Sequence, residues 1–208
     1  MEQLFRLRRF LETPAPLHSH RKPSGCELCG APFEGRHAHV IDLDQRRLLC
    51  TCRPCYFLFT RSGAANGKFR SVSERVVKLE SFALSDAAWE ALDIPVGIAF
   101  FLRNSSRDRV VAFYPSPAGA TESGLPLETW NDIAQSDPLV ATIEPDIEAL
   151  LLCRRRDRAE SWIVPVDACY ELVGRIRTHW KGFEGGGEAW REIDGFFTEL
   201  AERERSCA

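Results

Sequence analysis

Two C-x-x-C pairs, Cys26 with Cys29 and Cys52 with Cys55, constrain most strongly what the first third of this chain can fold into. Twenty-two residues separate them, which is close to the spacing of a structural zinc site. Two cysteines three apart close a tight turn around one tetrahedral ion, so each pair supplies one edge of the tetrahedron. Gly30, directly after Cys29, lets that turn adopt positive φ while backbone amides point at the sulfurs. Cys50 adds a fifth thiol within the same thirty residues.

The segments around the pairs set an order of elements. Residues 37–43 and 48–52 read as two short strands joined by a polar turn at residues 44–47. Arg53 and Pro54 then lead into an aromatic run, Tyr56, Phe57 and Phe59. Proline suits the first turn of a helix, so Cys52 and Cys55 are expected at a helix N-terminus, where unpaired amides favour thiolates. Knuckle, hairpin and helix in that order resemble a treble-clef zinc finger over residues 25–61, which implies Cys26, Cys29, Cys52 and Cys55 as the ligands.

Other chemistries use similar parts. Rubredoxin carries two C-x-x-C knuckles around iron, each normally followed by glycine, whereas Cys55 is followed by Tyr56. An iron–sulfur cluster is the reading that recruits Cys50 as an extra ligand. An HNH-type nuclease places a histidine on the hairpin of a treble clef, and His37 and His39 lie there. That site also needs an Asp-His pair and a later Asn or His, and no histidine follows Cys55 until His179. In an x-H-x-H strand both imidazoles share a face, where structural and supporting roles are commoner.

With 208 residues, 44% hydrophobic and 27% charged, the chain has the composition of a soluble globular protein. No run approaches the 18 apolar residues of a membrane span, and the first residues lack a signal-peptide apolar core. A cytoplasmic protein is expected, in which clustered reduced thiols favour metal over disulfides. Cys153, Cys169 and Cys207 are scattered and read as buried small residues or a tail thiol. Residues 1–75 hold 13 Lys and Arg against 7 Asp and Glu, while the remainder holds 14 against 23. A basic zinc module suggests nucleic-acid binding as one alternative. The basic residues are dispersed, however, and the aromatics are confined to one run that reads as core.

The organisation expected is an amphipathic helix and proline-rich linker at 1–24, a metal module at 25–70 and an α+β domain at 71–208. Residues 2–12 have helical apolar periodicity with a basic face, and His18 and His20 in the linker read as solvated. Residues 61–68 form a glycine-rich connection without phosphate-loop spacing. A strand at 76–79 and a helix at 85–92, capped by Ser85, come next. Two strand–strand–helix units then follow. The first has strands at 96–103 and 109–114, ended by Pro115, and a helix from 127. The second has strands at 146–153 and 161–166 and a helix at 168–180 capped by Asp167. That pattern predicts an antiparallel sheet covered by helices, with residues 118–126 as a polar loop. Trp180, Phe183 and Trp190 bracket a run of three glycines. They read as a packed turn between two helices or, alternatively, as a partner-binding surface.

No nucleophile elbow, H-E-x-x-H helix or nucleotide loop is present, and a four-cysteine zinc site is coordinatively closed. The cysteine module, the stretch at 113–123 and the stretch at 167–183 together resemble an uncharacterised bacterial family often encoded beside uptake nickel–iron hydrogenase genes. That resemblance covers most of the chain. It implies a zinc-stabilised, non-enzymatic accessory protein whose partner is a hydrogenase subunit or a maturation factor. The alternatives are a rubredoxin-like or iron–sulfur redox protein serving the same enzyme, and a nucleic-acid-binding zinc protein.

Overall fold

The computed structural model describes residues 24–33, 37–116, 118–123, 130, 133–134, 137–155, 159–181 and 186–207. The helix and linker expected at 1–24 therefore lie almost wholly outside the described residues. The chain divides into two compact units, residues 1–71 and 72–208.

The first unit is built on a three-stranded antiparallel sheet. Strands β1 (Ala38–Asp42) and β2 (Arg47–Thr51) form the expected hairpin, and β3 (Phe69–Ser71) pairs with the other edge of β1. The Asp42 carboxylate accepts the Gln45 amide at 2.9 Å, and Arg46 takes φ 53°, which closes the turn. Helix α1 (Arg53–Phe57) starts at Cys52 with Pro54 in its first turn. It spans five residues. Successive side chains on a helix point about 100° apart, so so short a helix cannot bury a continuous aromatic run. Tyr56 is buried, but Phe57 and Leu58 are 57% and 66% exposed, which corrects the reading of that run as core. The glycine-rich connection folds as a 3-10 turn at Ala64–Gly67, with Ala65 and Asn66 at positive φ. Strand β3 was not expected; three residues are too few to show alternation, and its place is set by pairing with β1 and by Ser71 N–H donating to the Phe59 carbonyl.

The second unit is the expected α+β domain, a six-stranded antiparallel sheet with helices against it. Its strands are β4 (Val77–Lys78), β5 (Ile98–Asn104), β6 (Arg109–Ser116), β7 (Gly119–Ser123), β8 (Glu148–Arg154) and β9 (Ala159–Pro165), in the order β4-β9-β8-β5-β6-β7. Helix α2 (Asp86–Ala91) is capped by the Ser85 hydroxyl accepting the Ala88 amide at 3.2 Å. Helices α3 (Val166–His179) and α4 (Gly186–Cys207) follow β9.

The central strands β5 and β8 are apolar at consecutive positions because both sheet faces are covered. Phe100, Leu151, Trp162 and Val164 pack with Leu172 and Ile176 of α3 and Ile193 and Phe196 of α4. Phe101, Leu150, Leu152 and Ile163 point the other way, into a second core with Phe82, Leu92, Ile94 and Val140. Arg175 joins α3 to α4 through Glu199 at 2.7 Å. Glu148, 1% exposed, is matched by the Ser73 hydroxyl at 2.8 Å, Arg75 at 3.2 Å and the Glu144 amide at 3.0 Å.

Three expectations about this unit need correction. Residues 119–123, read as loop, form edge strand β7; it is polar and partly exposed and so lacks an apolar alternation. Pro115 does not end β6 but pairs with Ala120, because β5 leaves the ladder at Phe113 and no β5 carbonyl opposite Pro115 calls for its missing amide. Asp167 is not a cap: α3 starts two residues earlier than expected, with Pro165 at the cap and Asp167 in the first turn. The helix expected from 127 falls mostly on residues outside those described.

Gly97 meets the second hairpin closely. A Cβ there would collide with the Arg154 carbonyl oxygen, and the Gly97 carbonyl accepts the Arg154 amide at 2.6 Å. Gly97→Ala should therefore push the backbone of β8 away and cost about 1–3 kcal/mol. Chemical denaturation of the variant should show a lower midpoint at unchanged slope; an unaltered midpoint would contradict this contact.

Candidate metal centre

The first knuckle is assembled by short local bonds. Cys26 N–H donates to the Ala31 carbonyl at 2.7 Å and Gly30 N–H to the Cys26 carbonyl at 2.8 Å. Gly30 takes φ 76°, the left-handed conformation the turn demands. The second pair straddles the β2–α1 junction: Cys52 precedes the helix and Cys55 lies within it.

What joins the two knuckles is Glu27, between Cys26 and Cys29. Its N–H donates to the Cys50 carbonyl at 2.9 Å, and its carboxylate accepts the Cys50 amide at 2.6 Å and Arg47 at 3.0 Å. The knuckle thus docks on β2 as an extra strand would, just before Cys52. Nothing in the sequence marks this role, because the residues between paired cysteines are free to vary in the zinc geometry.

The result is that the Sγ atoms of Cys26, Cys29, Cys52 and Cys55 all lie within 4.8 Å of one another, with Cys29 and Cys52 at 3.6 Å. Four thiolates at about 2.3 Å from a tetrahedral zinc would be spaced about 3.8 Å apart, so the donor set fits that ion. The same distances are far beyond the ~2.05 Å of a disulfide bond, and all four thiols are free. Cys26 and Cys55 are buried and Cys29 is exposed, so one edge of the centre faces out.

The thiols differ in their readiness to ionise. Burial opposes ionisation of Cys26, yet amides of Cys52, Cys29 and Leu28 aimed at its sulfur bring it down to about 6. Burial pushes the Cys55 thiol far up, and the neighbouring sulfurs push it further. Cys29 is also raised: the Ala31 amide favours its thiolate, but the adjoining Cys26 and Cys52 sulfurs outweigh it.

Cys50 lies apart from this tetrad. Its Sγ and the imidazoles of His37 and His39 form a second group, again with ligand atoms all within 4.8 Å of one another. Trp180 and Trp190 pack against the α3–α4 side of the second unit's core, and Phe183 lies outside the described residues. Trp190 also borders a groove of about 1000 Å³ shared with Trp89, Asp86, Arg154, Arg155 and Glu160. Arg155 stacks on Trp190 at 4.7 Å and Arg154 on Trp89 at 5.9 Å. Cys153 and Cys169 are buried in the core, and burial holds the Cys169 thiol well above its usual range.

Fold and site together define an α+β protein with a four-cysteine, metal-type knuckle module. The model of a family of unknown function (DUF5947) matches residues 25–204, and the chain belongs to that family. No curated protein and no solved structure matches it. Among the described residues no helix is long and apolar enough to cross a membrane.

Two outcomes follow from the centre's chemistry. Cys26→Ser or Cys52→Ser should abolish tight metal binding and unfold the first unit, since metal binding contributes about 10–16 kcal/mol in small zinc folds. A variant that keeps metal and an unchanged melting profile would refute the ligand set. Cys26, its thiol drawn down, binds most readily as a thiolate, whereas Cys29 and Cys55, raised, must release protons to the buffer when an ion binds. Metal affinity should therefore rise with pH, and calorimetry in buffers of different ionisation enthalpy should register proton release on zinc binding.

Proposed function

We propose that this chain is a zinc-stabilised, non-enzymatic accessory protein of the cytoplasm that binds another protein. The observation that carries the zinc assignment is the convergence of four cysteine sulfurs, all within 4.8 Å of one another. Such a donor set leaves no position for a substrate, so the ion's contribution is folding energy rather than chemistry. Rigid aromatic anchors support the interaction reading: Trp89 and Trp190 border one groove under arginine stacks, and Phe57 and Leu58 are exposed on the metal module.

The partner proposed is a subunit or maturation factor of a nickel–iron hydrogenase. This part rests on the resemblance of the sequence blocks at 25–61, 113–123 and 167–183 and on no geometric feature.

After dialysis against a chelator, chain purified without oxygen should retain one zinc and be colourless. Iron with visible thiolate charge-transfer absorption would replace this reading with a redox protein. Affinity capture from a host that makes such a hydrogenase should retain one of its subunits or maturation factors. Trp190→Ala should weaken that capture roughly tenfold or more, the scale of an interface anchor. Recovery of neither class of partner would remove the hydrogenase assignment while leaving the zinc centre standing.

A further inference from the structure

The hairpin carries a cluster that the four-cysteine centre does not use. His39 and Cys50 are direct partners in the β1–β2 register. Both main-chain groups of Cys50 are taken by Glu27, its amide by the carboxylate at 2.6 Å and its carbonyl by the Glu27 amide at 2.9 Å. This register position is therefore the non-hydrogen-bonded kind, in which facing side chains approach most closely. His37, two residues before His39, puts its imidazole on the same face, 4.8 Å from that of His39 and steeply tilted to it. Phe33 stacks on His37 at 4.5 Å, which restrains that ring. The three ligand atoms all lie within 4.8 Å of one another, and the histidines and Cys50 range from half-buried to exposed.

We propose that His37, His39 and Cys50 form a second transition-metal site, separate from the four-cysteine centre, with its fourth position open. Two imidazoles and one thiolate suit a borderline-soft divalent ion such as zinc and disfavour magnesium or calcium, which take oxygen ligands. A single tetrahedral ion would need donor spacings of about 3.3–3.6 Å, so closing this cluster takes side-chain shifts on the order of 1 Å. The backbone is already fixed: the ladder aligns His39 with Cys50, and Glu27 pins the Cys50 main chain. Three protein ligands leave one coordination position for water or an outside ligand, the arrangement that distinguishes reactive and exchangeable sites from closed structural ones. The module thus carries two metal sites of different character, one sealed and one reachable. Glu27, held within the first knuckle, makes the second depend on the first.

Cobalt(II) is the probe that separates them. Untagged full-length protein, with zinc already in the four-cysteine centre and held without oxygen, is titrated with cobalt and followed by absorbance. A further equivalent should bind, with ligand-field bands of four-coordinate cobalt and a charge-transfer band from one thiolate. Cys50→Ala should abolish the charge-transfer band, and His37→Gln with His39→Gln should lower affinity for this equivalent by at least about tenfold. Both variants should keep the tightly held zinc and the wild-type melting profile, because these side chains lie on the open face of the hairpin. Saturation with no further equivalent, or a charge-transfer band that survives Cys50→Ala, would overturn the second site. Either outcome leaves the four-cysteine assignment intact, since that is read from zinc retained under chelation. A loss of that zinc in wild-type protein would instead count against the first centre.

Discussion

The constraint on which the proposed account of the first unit rests is the convergence of four cysteine sulfurs, all within 4.8 Å of one another. They come from a turn, a strand end and a short helix that share little apolar surface. The sheet beneath them has three strands of five, five and three residues. A sheet that small buries too little to hold its own register, and a helix of five residues is far below the length that is stable alone. Under the proposed function, a tetrahedral ion bound by the four sulfurs would supply the missing constraint at one point, where knuckle, β2 and α1 meet. Glu27 extends that constraint along the backbone by pairing the knuckle with Cys50 on both its amide and its carbonyl. The geometry of the centre and the placement of the hairpin are thus one problem solved by the same few residues.

The second unit is stabilised by the opposite means. Its sheet is covered on both faces, so β5 and β8 contribute a side chain to a core at nearly every position. Burial at this density stabilises by about 25 cal/mol per Å² of apolar surface removed from water. The cost is intolerance of added volume where strands meet, as at Gly97 against Arg154. The buried carboxylate of Glu148 is matched by three donors from two segments, Ser73 and Arg75 from one and the Glu144 amide from the other. That carboxylate ties the start of the unit to β8.

Much of this was legible in the residues, for definite reasons. The C-x-x-C spacings report the knuckles because three-residue separation is itself the turn. Continuous apolar runs at 98–102 and 149–153 report central strands buried on both sides, and Ser85 reports a helix start because its hydroxyl accepts a specific amide. What was hidden depends on partners distant in sequence. Strand β7 is polar because it is an edge; β3 is only three residues long, and pairing with β1 and the Ser71 amide bond to the Phe59 carbonyl place it. Helix α1 ends at Phe57, whose side chain faces solvent despite its apolar neighbours. Cys50 sits amid the cysteines in sequence, yet strand alternation turns it toward His39 rather than toward the tetrad.

The central claim is that one ion held by four cysteine thiolates organises the first unit. X-ray absorption at the metal edge, on protein dialysed against a chelator, tests it most directly. The account predicts a zinc edge with four sulfur neighbours at about 2.3 Å and no nitrogen in that shell. An iron edge, a shell containing nitrogen, or a folded first unit with no metal at all would contradict it.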